Sequence, residues 1–260
     1  MSSSLILPGD NLEIEDISQY KTTIGPGIYK FPTREPKFIP TQPGILNHST
    51  QSNKQLIYIE SNSKRYIPHK NDLVIGIVVG SIGEFYKVQL QDFSTPVLLN
   101  FMSFANATKK NRPNLKNGQV VYGKVTVDSI EIENEIECID EGCGVLDDSG
   151  YVFNVNLNFA RELLYDANSI FLKLLANKCQ FEIAIGINGK IWLKCGEGVK
   201  KEVKESENKE DEDDDMDIDS TNVKDLKYTL AAVEYLKKAQ FVKQDELKQV
   251  LNVCFKNVEN

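Results

Sequence analysis

Six of the nine prolines in this 260-residue chain lie within its first 65 residues. Proline has no backbone N–H group and fixes φ at about −65°, so a segment this rich in proline does not form a long helix. Turn sequences interrupt the same segment at Pro8-Gly9-Asp10, Gly25-Pro26-Gly27 and Pro43-Gly44. Residues 55–60 alternate in the manner of a half-buried strand. We therefore predict that residues 1–65 form a small module of short strands and turns.

The next segment, residues 66–146, contains five strand-like stretches rich in β-branched and aromatic residues: 71–79, 85–90, 97–101, 117–127 and 130–139. Gly76 and Gly123 fall inside two of these stretches, which indicates the tight coiling of a small barrel. Five strands in a segment of this length are typical of an OB fold, a barrel that binds oligonucleotides on one face and in its loops.

The last segment, residues 147–260, mixes strands and helices and predicts an α+β domain. Residues 181–195 contain two alternating apolar runs joined by Asn188-Gly189, which is the strongest short-range signal for a β-hairpin. Apolar residues at helical spacing predict two helices within 158–175. A further helix is marked by Leu226, Leu230 and Val233, and a last one by Leu247, Val250, Leu251 and Cys254. The chain as a whole is thus predicted to be multidomain, mainly β followed by α+β.

Charge is distributed unevenly along the chain. The net charge is −8, but residues 200–221 hold eleven acidic residues and four lysines and carry −7 of it. We predict that residues 199–222 are a disordered acidic insertion, since they have almost nothing apolar to bury. A calcium-binding loop is excluded because Met216 and Asn222 stand where that loop needs glycine and glutamate. The remaining chain is nearly neutral, so a local basic patch is compatible with nucleic-acid binding.

Catalytic, metal and membrane motifs are not found in the sequence. The only histidines are His48 and His69, and the five cysteines include no Cys-x-x-Cys pair, so we expect no metal site and no cofactor. Neither a Gly-x-Ser-x-Gly nucleophile motif nor a phosphate-binding P-loop occurs, and we predict that the protein is not an enzyme.

No apolar run is long enough for a membrane span, and the first residues do not resemble a signal peptide. Sparse cysteines suit reduced thiols in cytosol or nucleus.

A basic cluster is the strongest candidate for a binding site. Lys109, Lys110 and Arg112 lie in a predicted loop between two barrel strands and are flanked by Phe101 and Phe104. Cations that contact phosphates beside aromatic rings that stack on bases are the usual combination for single-stranded nucleic acid. We predict RNA binding here, with a solvated surface loop as the alternative. Weaker candidates for base stacking are Phe85, Tyr86 and Phe93.

The sequence Gly186-Ile-Asn188-Gly189 allows two interpretations. A Gly-x-x-Gly loop clamps the nucleic-acid backbone in KH domains, where it joins two helices. Here the loop joins two predicted strands, which favours a structural turn made by Gly186, Asn188 and Gly189.

Taken together, five stretches of the chain resemble a cap subunit of the eukaryotic RNA exosome, of the Rrp-forty family (exosome component three in animal naming) and of fungal type. They are Leu-Pro-Gly-Asp (7–10), Gly-Pro-Gly-Ile-Tyr (25–29), Asn-Ala-Thr-Lys-Lys-Asn-Arg-Pro (106–113), Asn-Leu-Asn-Phe-Ala-Arg (156–161) and Gly-Ile-Asn-Gly-Lys-Ile-Trp (186–192). The resemblance covers nearly the whole chain outside about 199–222.

The resemblance implies an N-terminal domain of the exosome cap, an S1-type OB domain and a KH-like domain, with boundaries at 1–65, 66–146 and 147–260. It implies that the Gly-x-Asn-Gly turn packs the KH domain against the barrel. It also implies a non-catalytic subunit on a six-membered nuclease-like ring, whose basic loop helps to thread the 3′ end of RNA into the channel for processing of rRNA and degradation of RNA. The implied partners are RNA, ring subunits, other cap subunits and associated catalytic ribonucleases, in nucleus, nucleolus and cytoplasm.

Three alternatives remain open from the sequence. One is the sibling S1/KH cap subunit, which shares the order of domains. Another is a free-standing S1/KH adaptor that binds RNA, and the third is a metal-dependent ribonuclease. A cap subunit that ends in a zinc-ribbon-like domain fits less well, because this chain lacks the paired cysteines.

Overall fold

The computed structural model describes residues 5–12, 21–32, 37–51, 54–105, 107–108, 110–111, 113–127, 133–196, 215–256 and 258. At residues 51 and 215–222 it describes the backbone only. The chain divides into two compact units, Met1–Ser63 and Lys64–Asn260. No helix in these described ranges is both long and apolar enough to cross a membrane.

The first unit consists of short strands, as the prolines predict. Its strands are β1 (Leu5–Ile6), β2 (Lys21–Ile24), β3 (Ile28–Phe31), β4 (Lys37–Pro40), β5 (Gly44–Gln51) and β6 (Lys54–Glu60). Four of them form a sheet in the order β1-β5-β6-β2, and β3 pairs with β4 as a separate hairpin. Strand β6 turns Gln55, Ile57 and Ile59 inward, which confirms the alternation read from the sequence.

The second unit begins with a closed five-stranded barrel, which confirms the predicted OB architecture. Its strands are β7 (Leu73–Ile82), β8 (Phe85–Gln89), β9 (Val97–Phe104), β10 (Val120–Val127) and β11 (Glu135–Cys138). Strand β7 pairs with β8 and β10, β8 pairs with β9, and β11 closes the barrel by pairing in parallel with β9 and antiparallel with β10. The short strand β12 (Gly144–Val145) extends the sheet beside β10.

Alternate residues of the barrel strands fill its interior. The buried side chains include Val74, Val78, Val88, Leu99, Val121, Val125 and Ile136. A Cβ atom built at Gly76 would overlap the side chain of Val88, so glycine is required there for strands β7 and β8 to approach each other.

The rest of the second unit is an α+β domain. Strands β13 (Tyr151–Asn154), β14 (Phe181–Ile185) and β15 (Lys190–Cys195) form a sheet in the order β13-β15-β14. Among the described residues the helices are α1 (Leu157–Tyr165), α2 (Ile170–Ala176), α3 (Asp215–Ala239) and α4 (Leu247–Phe255), and a 3-10 turn lies at Gln244–Glu246. Helices and sheet enclose an apolar core that includes Phe171, Leu175, Ile191, Leu193, Tyr235, Leu236, Leu247 and Phe255.

Two details of helix α3 correct the sequence-based predictions. The helix begins at Asp215, so residues 215–222 of the predicted disordered insertion are helical, and residues 199–214 lie outside the described residues. Acidic residues near the start of a helix stabilise it, because their negative charge interacts favourably with the positive N-terminal end of the helix dipole.

The buried face of α3 also differs from the prediction. Val233 is buried, but Leu226 and Leu230 are 52% and 46% exposed. The buried apolar residues of α3 join the core that the helices share with the sheet, and they are Ala231, Ala232, Val233, Tyr235, Leu236 and Ala239. Three of these residues are alanines, which a search for large apolar residues overlooks.

Candidate nucleic-acid interface

The predicted RNA-binding loop connects strands β9 and β10. Lys110 lies in this loop and is exposed, whereas Lys109 and Arg112 lie outside the described residues. Around Lys110 the backbone forms a tight turn, in which the Thr108 N–H donates to the Asn111 carbonyl oxygen at 2.9 Å. The Asn111 N–H in turn donates to the Thr108 carbonyl oxygen at 3.1 Å and to its Oγ1 at 3.0 Å. This turn holds Lys110 at the surface of the loop.

Tyr86 anchors the far end of the same loop. Its hydroxyl donates to the Pro113 carbonyl oxygen at 2.6 Å and accepts a hydrogen bond from the Leu115 N–H at 3.0 Å. The side chain belongs to the barrel core, and its ring centroid lies 4.4 Å from that of Phe101. Tyr86 was a candidate for base stacking, but its ring is buried. Its role in this structure is to position the loop that carries Lys110.

The remaining aromatic candidates differ in exposure. Phe101 and Phe104 are half-buried and pack against the barrel core, and both lie on β9, the strand that leads into the loop. Phe85 is also half-buried. Phe93 is fully exposed and has a φ of 61°, on a turn where the Ser94 hydroxyl donates to the Gln91 carbonyl oxygen at 2.8 Å. Base stacking by Phe101 and Phe104 stays a prediction.

The Gly-x-Asn-Gly sequence joins strands β14 and β15 and lies against the barrel. The Asn188 Nδ2 group donates to the carbonyl oxygens of Ile75 at 2.8 Å and Leu90 at 2.7 Å. The Asn188 Oδ1 atom accepts from the Ile75 N–H at 3.2 Å. Asn188 is only 2% exposed, and three of its hydrogen-bonding positions are thus filled by barrel backbone.

Neighbouring residues complete this junction. The Ile187 N–H donates to the Leu73 carbonyl oxygen at 2.8 Å, and the Ile187 side chain joins the core of the barrel. The Tyr122 hydroxyl donates to the Ile185 carbonyl oxygen at 3.2 Å. Gly189 has a φ of 81°, as the turn requires. A Cβ atom at Gly186 would lie 2.7 Å from the Ile75 nitrogen, so the turn faces protein and leaves no room for a nucleic-acid backbone.

A second junction lies where the barrel leads into strand β13. The Trp192 Nε1 group donates to the Asp147 carbonyl oxygen at 3.1 Å. The Lys194 Nζ atom forms an ion pair with the Asp147 carboxylate at 2.5 Å, and this hydrogen bond lowers the pKa of Asp147 to about 2. Sequence reasoning missed these residues, because nothing in their spacing indicates that they meet.

In the part of the chain that the structure describes, no three His, Cys, Asp or Glu side chains are grouped so that they could hold a metal ion. The geometry of the loop supports a binding surface. The anchored loop carries an exposed cation and follows a strand with two half-buried phenylalanines, on a barrel fixed to an α+β domain.

Comparison with protein families covers most of the chain. Residues 22–65 match the family described as exosome complex exonuclease Rrp40 N-terminal domain, and residues 66–150 match the family described as exosome complex component RRP40, S1 domain. Residues 150–199 match a KH domain family.

Individual relatives are similar over roughly three quarters of the chain. The chain is 46% identical to exosome complex component RRP40 of Saccharomyces cerevisiae over 203 residues, which cover 75% of this chain and 83% of that protein. It is 33% identical to the Drosophila melanogaster protein of the same name over 200 residues, covering 74% and 82%. It is 34% identical to the Homo sapiens protein over 192 residues, covering 71% and 68%.

Proposed function

The chain belongs to the exosome complex component RRP40 family, and from this membership we propose that it is a non-catalytic, RNA-binding cap subunit of an exosome complex. The observation that carries the proposal is the loop between β9 and β10, with Lys110 exposed and Tyr86 fixing its end to the barrel. Positive charge on a rigid barrel is suited to the phosphates of single-stranded RNA.

In this proposal Lys109, Lys110 and Arg112 contact phosphates, and the exposed parts of Phe101 and Phe104 contact bases. The subunit stabilises a nuclease-like ring and threads RNA 3′ ends into the channel, for 3′–5′ processing of rRNA and degradation of RNA by associated catalytic ribonucleases. Its other partners are the ring subunits and the remaining cap subunits, and it acts in nucleus, nucleolus and cytoplasm.

The test uses the assembled complex, with Lys109, Lys110 and Arg112 all replaced by alanine. We expect weaker crosslinking to single-stranded RNA and a flatter dependence of affinity on salt. The variant neutralises fewer phosphates, and about 0.7 counterions are released for each phosphate neutralised on a single strand. The matched control replaces three exposed lysines elsewhere, Lys243, Lys248 and Lys256. Equal RNA crosslinking by the triple variant and the wild-type complex would refute the role of the loop.

A free-standing RNA-binding adaptor differs from a cap subunit in the assembly that it forms. Size-exclusion chromatography of a native cell extract distinguishes the two. A cap subunit elutes in a complex far larger than its own 29.3 kDa, together with ring subunits identified by mass spectrometry. Elution of all the protein at the mass of the single chain contradicts the proposal and favours the adaptor.

A metal-dependent ribonuclease is the other alternative. Incubation of the isolated chain with labelled single-stranded RNA and either Mg²⁺ or Mn²⁺ tests it directly. We expect no cleavage above the level of a buffer control. Metal-dependent cleavage that co-elutes with the purified chain would show that the subunit is itself a nuclease.

A further inference from the structure

Two cysteines of the α+β domain lie next to each other without being bonded. The Sγ atoms of Cys179 and Cys195 are 3.8 Å apart. Cys195 is the last residue of β15, and Cys179 lies in the irregular segment between α2 and β14. All five cysteines of the chain are described and free. The Cys179–Cys195 pair takes no part in the RNA-binding loop or in the two junctions with the barrel.

The two thiols differ in their access to solvent. Cys195 is 2% exposed, whereas Cys179 is half-buried. Cys179 also lines a surface cavity of about 440 Å³, together with Lys178, Gln180, Gly196, Lys224, Asp225 and Tyr228. Cys179 is therefore the more accessible of the two cysteines, and the Cys195 sulfur is buried 3.8 Å from it.

The two thiols also differ in acidity. Either thiol can donate in the hydrogen bond between the two sulfurs. With Cys195 as the donor, this hydrogen bond lowers the pKa of Cys179, and the same interaction together with burial raises the pKa of Cys195. Burial raises the pKa of Cys138 to about 12 and also raises the pKa of Cys143 and of Cys254. The thiolate is the reactive form of cysteine, so Cys179 is favoured by both access and acidity.

We propose that Cys179 is a site of oxidation by hydroperoxides and that Cys195 is its resolving partner. The Cys179 thiolate attacks one oxygen of hydrogen peroxide, the O–O bond breaks, and a sulfenic acid forms with release of hydroxide, which takes up the proton lost by the thiol to give water. The Cys195 sulfur then attacks the Cys179 sulfur, and the S–O bond breaks. The hydroxyl group leaves with the Cys195 proton as a second water molecule. The products of two thiols and one peroxide are one disulfide and two water molecules.

Formation of the disulfide requires the two sulfurs to close the remaining distance. A disulfide bond is about 2.05 Å long, so the sulfurs must approach from their present 3.8 Å. Cys195 is held in place, because its N–H donates to the Thr229 Oγ1 atom at 3.0 Å and its strand pairs with β14. In the proposal Cys179 makes the movement. It lies in the irregular segment after α2, where its N–H donates to the Leu175 carbonyl oxygen at 3.1 Å.

The experiment treats the full-length chain with hydrogen peroxide and maps the products by mass spectrometry of peptides. We expect a linked pair of peptides containing Cys179 and Cys195, a loss of two hydrogen masses, and a fall from five titratable thiols to three in denaturant. Dithiothreitol should restore all five. A disulfide between Cys138 and Cys143, a disulfide between chains, or five thiols retained at a peroxide concentration that oxidises free cysteine overturns the proposal.

Three variants refine the result. Cys195→Ser should accumulate sulfenic acid at Cys179, which dimedone labels, and Cys179→Ser should form no internal disulfide. Cys143→Ser is the matched control because Cys143 is the other half-buried cysteine, and its disulfide yield should equal that of the wild type. Dimedone labelling of Cys143 instead of Cys179 in the Cys195→Ser chain would contradict the assignment. None of these measurements requires RNA, so they are independent of the proposed function.

Discussion

The side-chain amide of Asn188 pairs with both polar groups of one barrel residue, donating to the carbonyl oxygen of Ile75 at 2.8 Å and accepting from its N–H at 3.2 Å. A backbone residue inside a strand normally pairs with a neighbouring strand. Here a side chain from another domain takes the place of that neighbour. The barrel and the α+β domain therefore share a hydrogen-bonded edge, and this edge is buried.

We expect Asn188→Ala to lower the free energy of unfolding by roughly 2–4 kcal/mol, because a buried polar group left unpaired costs about 1–3 kcal/mol and three barrel groups lose their partner. Chemical denaturation followed by circular dichroism measures the change. Asn252→Ala, at an exposed position of α4, is the control and should leave stability nearly unchanged. A loss of less than about 1 kcal/mol would show that Asn188 is not important for the junction.

Gly150→Ala should disturb the second junction. A Cβ atom at residue 150 would overlap the indole ring of Trp192, which is 2% exposed and cannot move aside easily. Overpacking of this kind costs about 1–3 kcal/mol. Gly80→Ala is the control, since no atom lies within 4 Å of its Cβ position. Equal melting temperatures for the two variants would contradict the expected overlap.

Tyr86→Phe should loosen the RNA-binding loop without emptying the barrel core. The change removes the hydroxyl that joins the Pro113 carbonyl oxygen and the Leu115 N–H, and it keeps the ring against Phe101. We expect a loss of about 1–2 kcal/mol in stability and faster hydrogen exchange at Leu115. Tyr165→Phe, at a side chain 68% exposed, is the control. Unchanged exchange at Leu115 in Tyr86→Phe would show that the loop is held by other contacts.

The ion pair between Asp147 and Lys194 should give a distinct pH dependence. The pKa of Asp147 is lowered from its ordinary 3.8 to about 2, so the folded state binds this proton less readily than the unfolded state. Its stabilisation is therefore fully present above pH 4 and is lost as the pH falls from about 4 to 2. The pair is partly exposed, and its contribution is small.

The measurement compares melting temperatures of the wild type and Asp147→Asn across this range. The wild type should melt higher at neutral pH, and the difference should shrink towards pH 2. Asp148→Asn, which alters a neighbouring exposed carboxylate, is the control. A difference between wild type and Asp147→Asn that stays constant from pH 7 to pH 2 would exclude the ion pair as its cause.

Local signals in the sequence predicted much of this architecture. Alternation of apolar residues located the barrel strands, and Asn188-Gly189 marked the hairpin of β14 and β15. Both signals are local, because hydrophobic periodicity and the residue preferences of turns depend on residues close together in the sequence. The contacts of Asn188 could not be found in this way, since Ile75 and Leu90 are 113 and 98 positions away.

The roles of individual aromatic and helical residues were harder to predict for a different reason. Tyr86 and Phe93 both looked suited to base stacking, yet one ring is buried and the other is fully exposed. The spacing of aromatic residues along the chain does not say which side chains face the core and which face solvent. In α3 the covered residues are three alanines together with Val233, Tyr235 and Leu236, whereas Leu226 and Leu230 are exposed.

The way in which β11 closes the barrel has a consequence for the order of events during synthesis. A chain emerges from the ribosome with its N-terminus first, and domains generally fold in that order. Strands β9 and β10 keep open edges until Glu135–Cys138 has emerged, and open edges invite pairing with other chains. The N–H and carbonyl groups of Ile75 remain without their Asn188 partner for longer, until residue 188 has been synthesised. Synthesis thus includes two stages, one before β11 and one before Asn188, in which backbone groups that are paired in the folded protein are open to other chains.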